Sequence, residues 1–173
     1  AATYRAESKP LQLRTAAKVG FKVPETRITN DRLLDIPSIF GEKFALKSID
    51  TILLYTSKTQ HFGYTTISDW HSCNDDDFHL VPATCQKLLS PKIDLRVTLV
   101  GSQIWCDKIS DENYRIEGDW RLLPKTRLKF EDYKLPSDVQ ESCFRLLRKL
   151  GLRFGAIDLA IHNGEYWFIE LNP

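Results

Sequence analysis

Two stretches of the chain repeat apolar residues at helical spacing, and the remaining patterned stretches alternate. Ser8 to Gly20 is the first helical stretch: Ser8 can cap it, Pro10 suits its first turn, Leu13, Ala16 and Ala17 give an apolar side, and Gly20 suits a C-terminal cap. Ser137 to Leu150 is the second, with Val139, Cys143, Leu146, Leu147 and Leu150 on one face, Ser137 and Gln140 as a capping box, and Gly151 as terminator. Arg145, Arg148 and Lys149 then form its wet side. Alternation predicts a short strand after Phe21, another over Phe44 to Ile49, and a hairpin of Val97–Val100 with Ile104–Ile109 around Gly101-Ser102. Pairing Val100 with Gln103 sets Arg96 opposite Asp107 on the polar face, with Leu95, Val97, Leu99, Ile104 and Cys106 on the other.

The last 23 residues, GLRFGAIDLAIHNGEYWFIELNP, read as two more strands around His162-Asn163-Gly164. In the first, Ile157, Leu159 and Ile161 oppose Ala156, Asp158 and Ala160; in the second, Trp167, Ile169 and Leu171 oppose Phe168, Glu170 and Asn172. A two-residue Asn-Gly turn would pair Ile161 with Tyr166 and set Asp158 on the side away from Glu170. An odd loop with Gly164 left-handed at a bulge pairs Ile161 with Glu165 and lets both apolar faces cover one core, so this is the expected register. It brings Asp158, Glu170 and Asn172 to one surface. Two carboxylates and an amide carbonyl suit a hard cation, Mg²⁺ before Ca²⁺, with positions open to water or phosphate. The competing reading is a solvated strand face, against which Ala156, Ala160 and Phe168 count.

Composition narrows the classes. With 173 residues, 42% hydrophobic and 11% aromatic, the chain can bury a core as one domain or two small lobes. A net charge of +1 argues against a nucleic-acid field, so any charged partner must be read locally. Cys73, Cys85, Cys106 and Cys143 lie scattered, without zinc spacing or a disulfide framework, as expected of a reduced cytoplasmic protein. No apolar run reaches the ~20 residues of a membrane span and no signal-peptide core opens the chain. Methionine is absent, where ordinary usage leads one to expect a few; both ends read as incomplete.

Two cations stand out. Lys47 lies among apolar residues of a strand, so it either snorkels to solvent or meets an anion. Arg96 either pairs with Asp107 across its hairpin or faces a ligand. The acidic, aromatic run DWHSCNDDDFH, from Asp69 to His79, is expected to be an exposed loop or helix start.

The order D-x11-E-x-N across a hairpin resembles the metal-binding end of ATP-grasp ligases. GAIDLAIHNGEYWFIELNP is particularly similar to the graspetide (microviridin-type) ribosomal-peptide maturases. The helix followed by GFKVPETRITND, the wording Q-x5-K-x-D-L-R-V and the element Asp119-Trp120-Arg121 resemble the same maturases in the same order. The likeness covers most of residues 8–30 and 81–173 and is loose between. It implies the ATP-grasp fold: α+β, two lobes each with an antiparallel sheet and helices, nucleotide between them, and an N-terminal domain missing. The implied organisation is 1–30 as entry helix and strand, 31–85 as small lobe with a triphosphate-covering loop within Asp50 to Ser68, and 86–173 as large lobe, truncated at its end.

By the same resemblance Asp158, Glu170 and Asn172 bind Mg²⁺ bridging ATP phosphates. Lys47 contacts the α/β-phosphates, the backbone near Gln86, Lys87, Leu88 and Leu89 pairs with adenine, and Asp94 belongs to the cofactor site. Arg96 and Arg121 are the catalytic arginines on the phosphate side. The implied activity is ADP-forming carboxylate ligation through an acyl-phosphate, crosslinking side chains of a precursor peptide as esters or amides. A glutamate- or amino-acid-adding ligase on a small carboxylate is the second reading, and a non-catalytic nucleotide- or peptide-binding domain the third. ATP and Mg²⁺ are the expected cofactors; neither nucleic acid nor membrane is an expected partner, and a homodimer is allowed for.

Overall fold

A computed structural model describes the chain except residues 1, 32, 50–52, 56–59, 74–78 and 112–115, and for 53–55 and 60–62 it describes the backbone alone. Contacts divide the chain into two units, Pro24–Leu88 and a larger one joining Ala1–Val23 to Leu89–Pro173.

In the smaller unit, β1 (Thr26–Thr29), β2 (Lys43–Lys47), β5 (Thr66–Asp69) and β6 (Ala83–Lys87) form an antiparallel sheet in the order β1-β6-β2-β5. β3 (Leu53–Tyr55) and β4 (Gln60–Phe62) pair separately, inside the region expected to hold the triphosphate loop, much of which lies outside the described residues. Phe44 turns inward from β2 onto Ile36 and Phe40 of the short helix α3 (Ile36–Phe40), with Trp70 and Cys85 completing the cluster. Trp70 corrects the reading of its run as exposed. It is buried and meets Phe44 edge-on, with ring centroids 5.8 Å apart, because an aromatic of that size gains more from burial than its polar neighbours lose.

The larger unit is a five-stranded antiparallel sheet in the order β11-β10-β7-β8-β9. Its strands are β7 (Ile93–Val100), β8 (Gln103–Asp111), β9 (Leu128–Asp132), β10 (Phe154–His162) and β11 (Glu165–Asn172). Among the described residues its α-helices are α1 (Ala2–Ala6), α2 (Lys9–Lys18) and α4 (Ser137–Leu150). Leu95, Val97, Leu99, Ile157, Leu159, Phe168 and Leu171 pack with Val139, Cys143, Leu146, Leu147 and Leu150 of α4 and with Ala16 of α2. The α4 spacing thus places its apolar face as read, and the Val100–Gln103 register holds; in α2 Ala16 is buried and Leu13 partly so, but Ala17 is exposed and Gln12 takes the buried position instead. The caps differ. Ser8 makes no side-chain cap bond; the N-cap of α4 is Pro136, with Ser137 already inside the helix, and Gln140 donates to the Leu135 carbonyl. Arg145 stays on the exposed side with Arg148 and Lys149, and from there its Nη2 donates to the Val19 carbonyl, one of the groups a helix end leaves unpaired. No helix among the described residues is long and apolar enough to cross a membrane.

The closing hairpin corrects the expected register while keeping its outcome. Asn163 and Gly164 both take positive φ, 52° and 77°, so a tight two-residue turn pairs Ile161 with Tyr166. That pairing continues to Leu159 opposite Phe168, and then a bulge admits Ile169 as an extra residue, after which Asp158 faces Glu170. The odd residue therefore sits within the strand and not at the turn. Before it, Tyr166 and Phe168 face the core; after it, Leu171 does. Trp167, expected on the apolar face with Ile169, instead holds the polar side beside Lys22, whose Nζ lies 5.5 Å from its ring.

This face switch is directly measurable. Phe168→Ala should cost about 3–5 kcal/mol in urea unfolding, whereas Trp167→Ala should cost about 1 kcal/mol. The reverse ranking would restore the uninterrupted register.

Candidate phosphate and metal site

One rung crosses the whole larger sheet. Glu170 of β11 pairs with Asp158 of β10, Asp158 with Arg96 of β7, Arg96 with Asp107 of β8, and Asp107 with Asp132 of β9. All five face away from α4, because the apolar residues between them claim the helix side. Arg96 has acidic neighbours on both flanks and takes Asp158: its Nη1 donates to Asp158 Oδ1 over 2.7 Å. Asp158 is 5% exposed, and a buried carboxylate without a partner loses far more than one that water can reach. The Arg96–Asp107 pair weighed from the sequence is thus a neighbour in register only.

Arg121 enters from a 3-10 turn, Trp120–Leu122, which Asp119 caps by accepting from the Arg121 amide. The same carboxylate takes the guanidinium bidentately, Nε at 2.8 Å and Nη2 at 2.7 Å. Its Nη1 donates to Glu170 Oε1 over 2.5 Å and lies 3.9 Å from Asp158 Oδ2. Burial alone would lower the Arg121 pKa, but the Asp119 hydrogen bonds and the charges of Glu170 and Asp158 raise it on balance, so it stays a cation. Asn172, opposite Ala156, points Nδ2 toward Asp158 Oδ2 at 3.4 Å. Asp158, Glu170, Asn172, Arg96 and Arg121 therefore converge on one sheet face.

Electrostatics sharpen the arrangement. Burial pushes the Asp158 carboxyl up to about 7; Arg96 pulls it down, Glu170 pushes it further up, and the first effect wins. Two crowded carboxylates, one of them reluctant to ionise, are what a bound cation relieves. Among the described residues no three His, Cys, Asp or Glu side chains cluster as a metal site; the donor set here is two carboxylates and the Asn172 amide, and it suits a hard, oxygen-seeking ion.

Other expected residues fall in smaller groups. Asp94 lies two residues before Arg96 on the same face, buried and paired with Lys92. Burial raises its pKa, and the Lys92 charge opposes that rise. In the smaller unit Lys47 is 8% exposed and donates to Gln86 Oε1 over 2.9 Å, while Gln86 donates to Thr26 Oγ1. Lys47 is therefore no snorkelling lysine. Gln86 and Lys87 close β6, with Lys87 N–H bonding Glu25 O; Leu88 and Leu89 fall on either side of the unit boundary.

Sequence reasoning missed Asp119 as the clasp of Arg121, although an Asp at the start of a short turn was there to be read as a cap. It also missed Gln12, which is buried in α2.

No family model matches the chain and no curated protein does. Solved structures do. An ATP-grasp ligase associated with ribosomally made, modified peptides from Chryseobacterium gregarium, in complex with ADP and a leader and core peptide, matches with a TM-score of 0.82 and 27% identity over 99% of this chain and 53% of that one. The macrocyclase MdnC of Microcystis aeruginosa, bound to its precursor peptide MdnA, matches with a TM-score of 0.76 and 24% identity over 100% and 54%. The VanG D-Ala:D-Ser ligase of Enterococcus faecalis matches with a TM-score of 0.63 and 13% identity over 96% and 52%. The chain spans about half the length of these proteins. It has the ATP-grasp α+β fold, and its likeness runs to the peptide-maturing ligases of that fold, the graspetide-type group its sequence resembles.

Proposed function

We propose that this chain is the nucleotide-binding part of an ADP-forming ATP-grasp ligase that joins side chains within a ribosomal precursor peptide. The observation that carries this reading is the convergence of buried Asp158 and half-buried Glu170 and Asn172 with Arg96 and Arg121 on one sheet face. Asp158, Glu170 and Asn172 would hold Mg²⁺, which supplies a charge clamp on the ATP phosphates. Arg96 and Arg121, now engaged with those carboxylates, would turn donors to phosphate oxygens and to the acyl-phosphate that forms as a peptide carboxylate takes the γ-phosphoryl group. A guanidinium suits this exchange because its fork binds two oxygens and it keeps its charge throughout. Asp119 holds the other edge of Arg121, so the cation stays anchored while Nη1 changes partner.

Lys47, buried and held by Gln86, is assigned to the α/β-phosphates; the backbone of Gln86 to Leu89 to adenine; and Asp94, with Lys92, to the cofactor site. An amine or hydroxyl of the peptide then attacks the acyl-phosphate and releases phosphate. No protein nucleophile is needed, since positioning and charge stabilisation account for phosphoryl transfer of this kind. The solved neighbours support the reading: one contains ADP with leader and core peptides, another Mg and ADP with a minimal precursor.

Mass spectrometry of acidic precursor peptides incubated with ATP and Mg²⁺ tests the activity. Loss of one water per bond is expected; a gain of one amino-acid residue would instead mark a ligase that adds amino acids.

Arg121→Ala should lower turnover by about 10²–10³-fold while the protein stays folded. Turnover within a few-fold of the parent would remove Arg121 from the chemistry.

Protons compete with metal at Asp158. With its carboxyl pushed up to about 7, apparent Mg²⁺ affinity at saturating ADP should rise by up to about tenfold per pH unit below that value and level off above it. Calorimetric titration from pH 5.5 to 8.5, in units chosen around that value, would show it. Asp158→Asn should bind Mg²⁺ weakly and lose the Asp158 part of the pH dependence.

A further inference from the structure

We infer that Gln12 is a positioning residue for the metal ligands, a role that rests on the proposed Mg²⁺ site. Gln12 belongs to α2, is 3% exposed, and spends its entire amide on two backbones. Its Nε2 donates to the carbonyls of Ala6 at 2.6 Å and Leu171 at 2.7 Å, and the Leu171 N–H donates to Gln12 Oε1 at 2.8 Å.

Leu171 is the residue between Glu170 and Asn172. β11 is the last strand of its sheet, and a residue whose N–H and C=O both point outward from an edge has no strand to bond. Gln12 acts as that missing strand at one position. The bulge makes this position critical. It sits at Ile169, between two outward anchors: Phe168 N–H bonded to Lys22 O at 2.8 Å, and Leu171 bonded to Gln12. A bulged edge strand bends easily, and ligand side chains tolerate misplacement of only about 0.5 Å. The core burial of Leu171 decides which face Glu170 and Asn172 occupy. The Gln12 clamp decides how far their backbone stands from Asp158, and does so without touching metal, nucleotide or peptide. Gln12 has the residue type for the task, since its neutral primary amide offers a donor and an acceptor side by side to one residue's backbone.

The test uses Mn²⁺ as the metal probe, read by electron paramagnetic resonance of the full chain at saturating ADP. The variants are Gln12→Leu, close in volume but unable to bond, and a core truncation matched to it in unfolding midpoint, Val139→Ala or Leu146→Ala. Gln12→Leu should bind Mn²⁺ about 10- to 100-fold more weakly than the parent at a temperature where all are folded, and the matched truncation should bind as the parent does. Parent-like affinity in Gln12→Leu would overturn the role and leave the metal site standing, as would an equal loss in the truncation. A parent that binds no Mn²⁺ in the presence of ADP would overturn the metal site and this inference with it, without recourse to any variant. Should Gln12→Leu fail to fold, Gln12→Met carries the comparison: it keeps the length but loses both the acceptor and the donors, and parent-like Mn²⁺ affinity there would equally overturn the role.

Discussion

A carboxylate that is nearly sealed from water organises the larger unit. Asp158 sits on the central part of the sheet, between Arg96 on one neighbouring strand and Glu170 on the other. Nothing in the hydrophobic pattern favours it there, and its raised pKa expresses the cost. The surrounding structure offsets that cost with geometry. Arg96 lies across one ladder, Arg121 comes from a capped turn, and the second carboxylate is brought opposite by a bulge. Remove the bulge and Glu170 would turn toward Leu159 and Phe168, where a charge has no partner.

The same bulge reconciles two demands on β11. Tyr166 and Phe168 must reach the core near α4, and so must Leu171, yet an uninterrupted strand cannot send residues 168 and 171 to one face. One extra residue at Ile169 solves the packing and the site together. Because β11 is an edge strand, the solution leaves outward backbone groups, which α2 and the segment after it satisfy through Gln12 and Lys22. The helices before the smaller unit are thus coupled to the last residues of the chain by hydrogen bonds as well as by burial.

The arginines also offset the repulsion between the two carboxylates. Each accepts from a guanidinium, Asp158 from Arg96 and Glu170 from Arg121, so the negative charge of the face is met on the face itself. Arg121 is bound by Asp119 along one edge and by Glu170 at the other, a division that a lysine ammonium could not make. Asp94 with Lys92 adds a second buried ion pair to the same strand. In the smaller unit Lys47 is likewise buried, and its ammonium donates to the Gln86 side-chain carbonyl.

Sequence alone determined the local elements and the chemistry on them. The α4 face, the Gly101-Ser102 hairpin and its register, and the alternation in β10 were all legible, because period and turn residues act over a few positions; the grouping of Asp158 with Glu170 and Asn172 was reached as well, but through an odd loop at the turn where the structure has a bulge in the strand. The resemblance supplied roles for Lys47, Arg96 and Arg121 that spacing could not. Tertiary structure decided what depends on distant partners. The odd residue went to Ile169 because Phe168 and Leu171 both had core to fill. Arg96 chose Asp158 over Asp107 because one carboxylate is buried and the other is not. Trp70 turned inward because Phe44 waited for it. Gln12 found its role 159 residues away, at Leu171. No local pattern records such pairings, since they are set by which surfaces the folded chain brings together and by the cost of leaving a buried polar group alone.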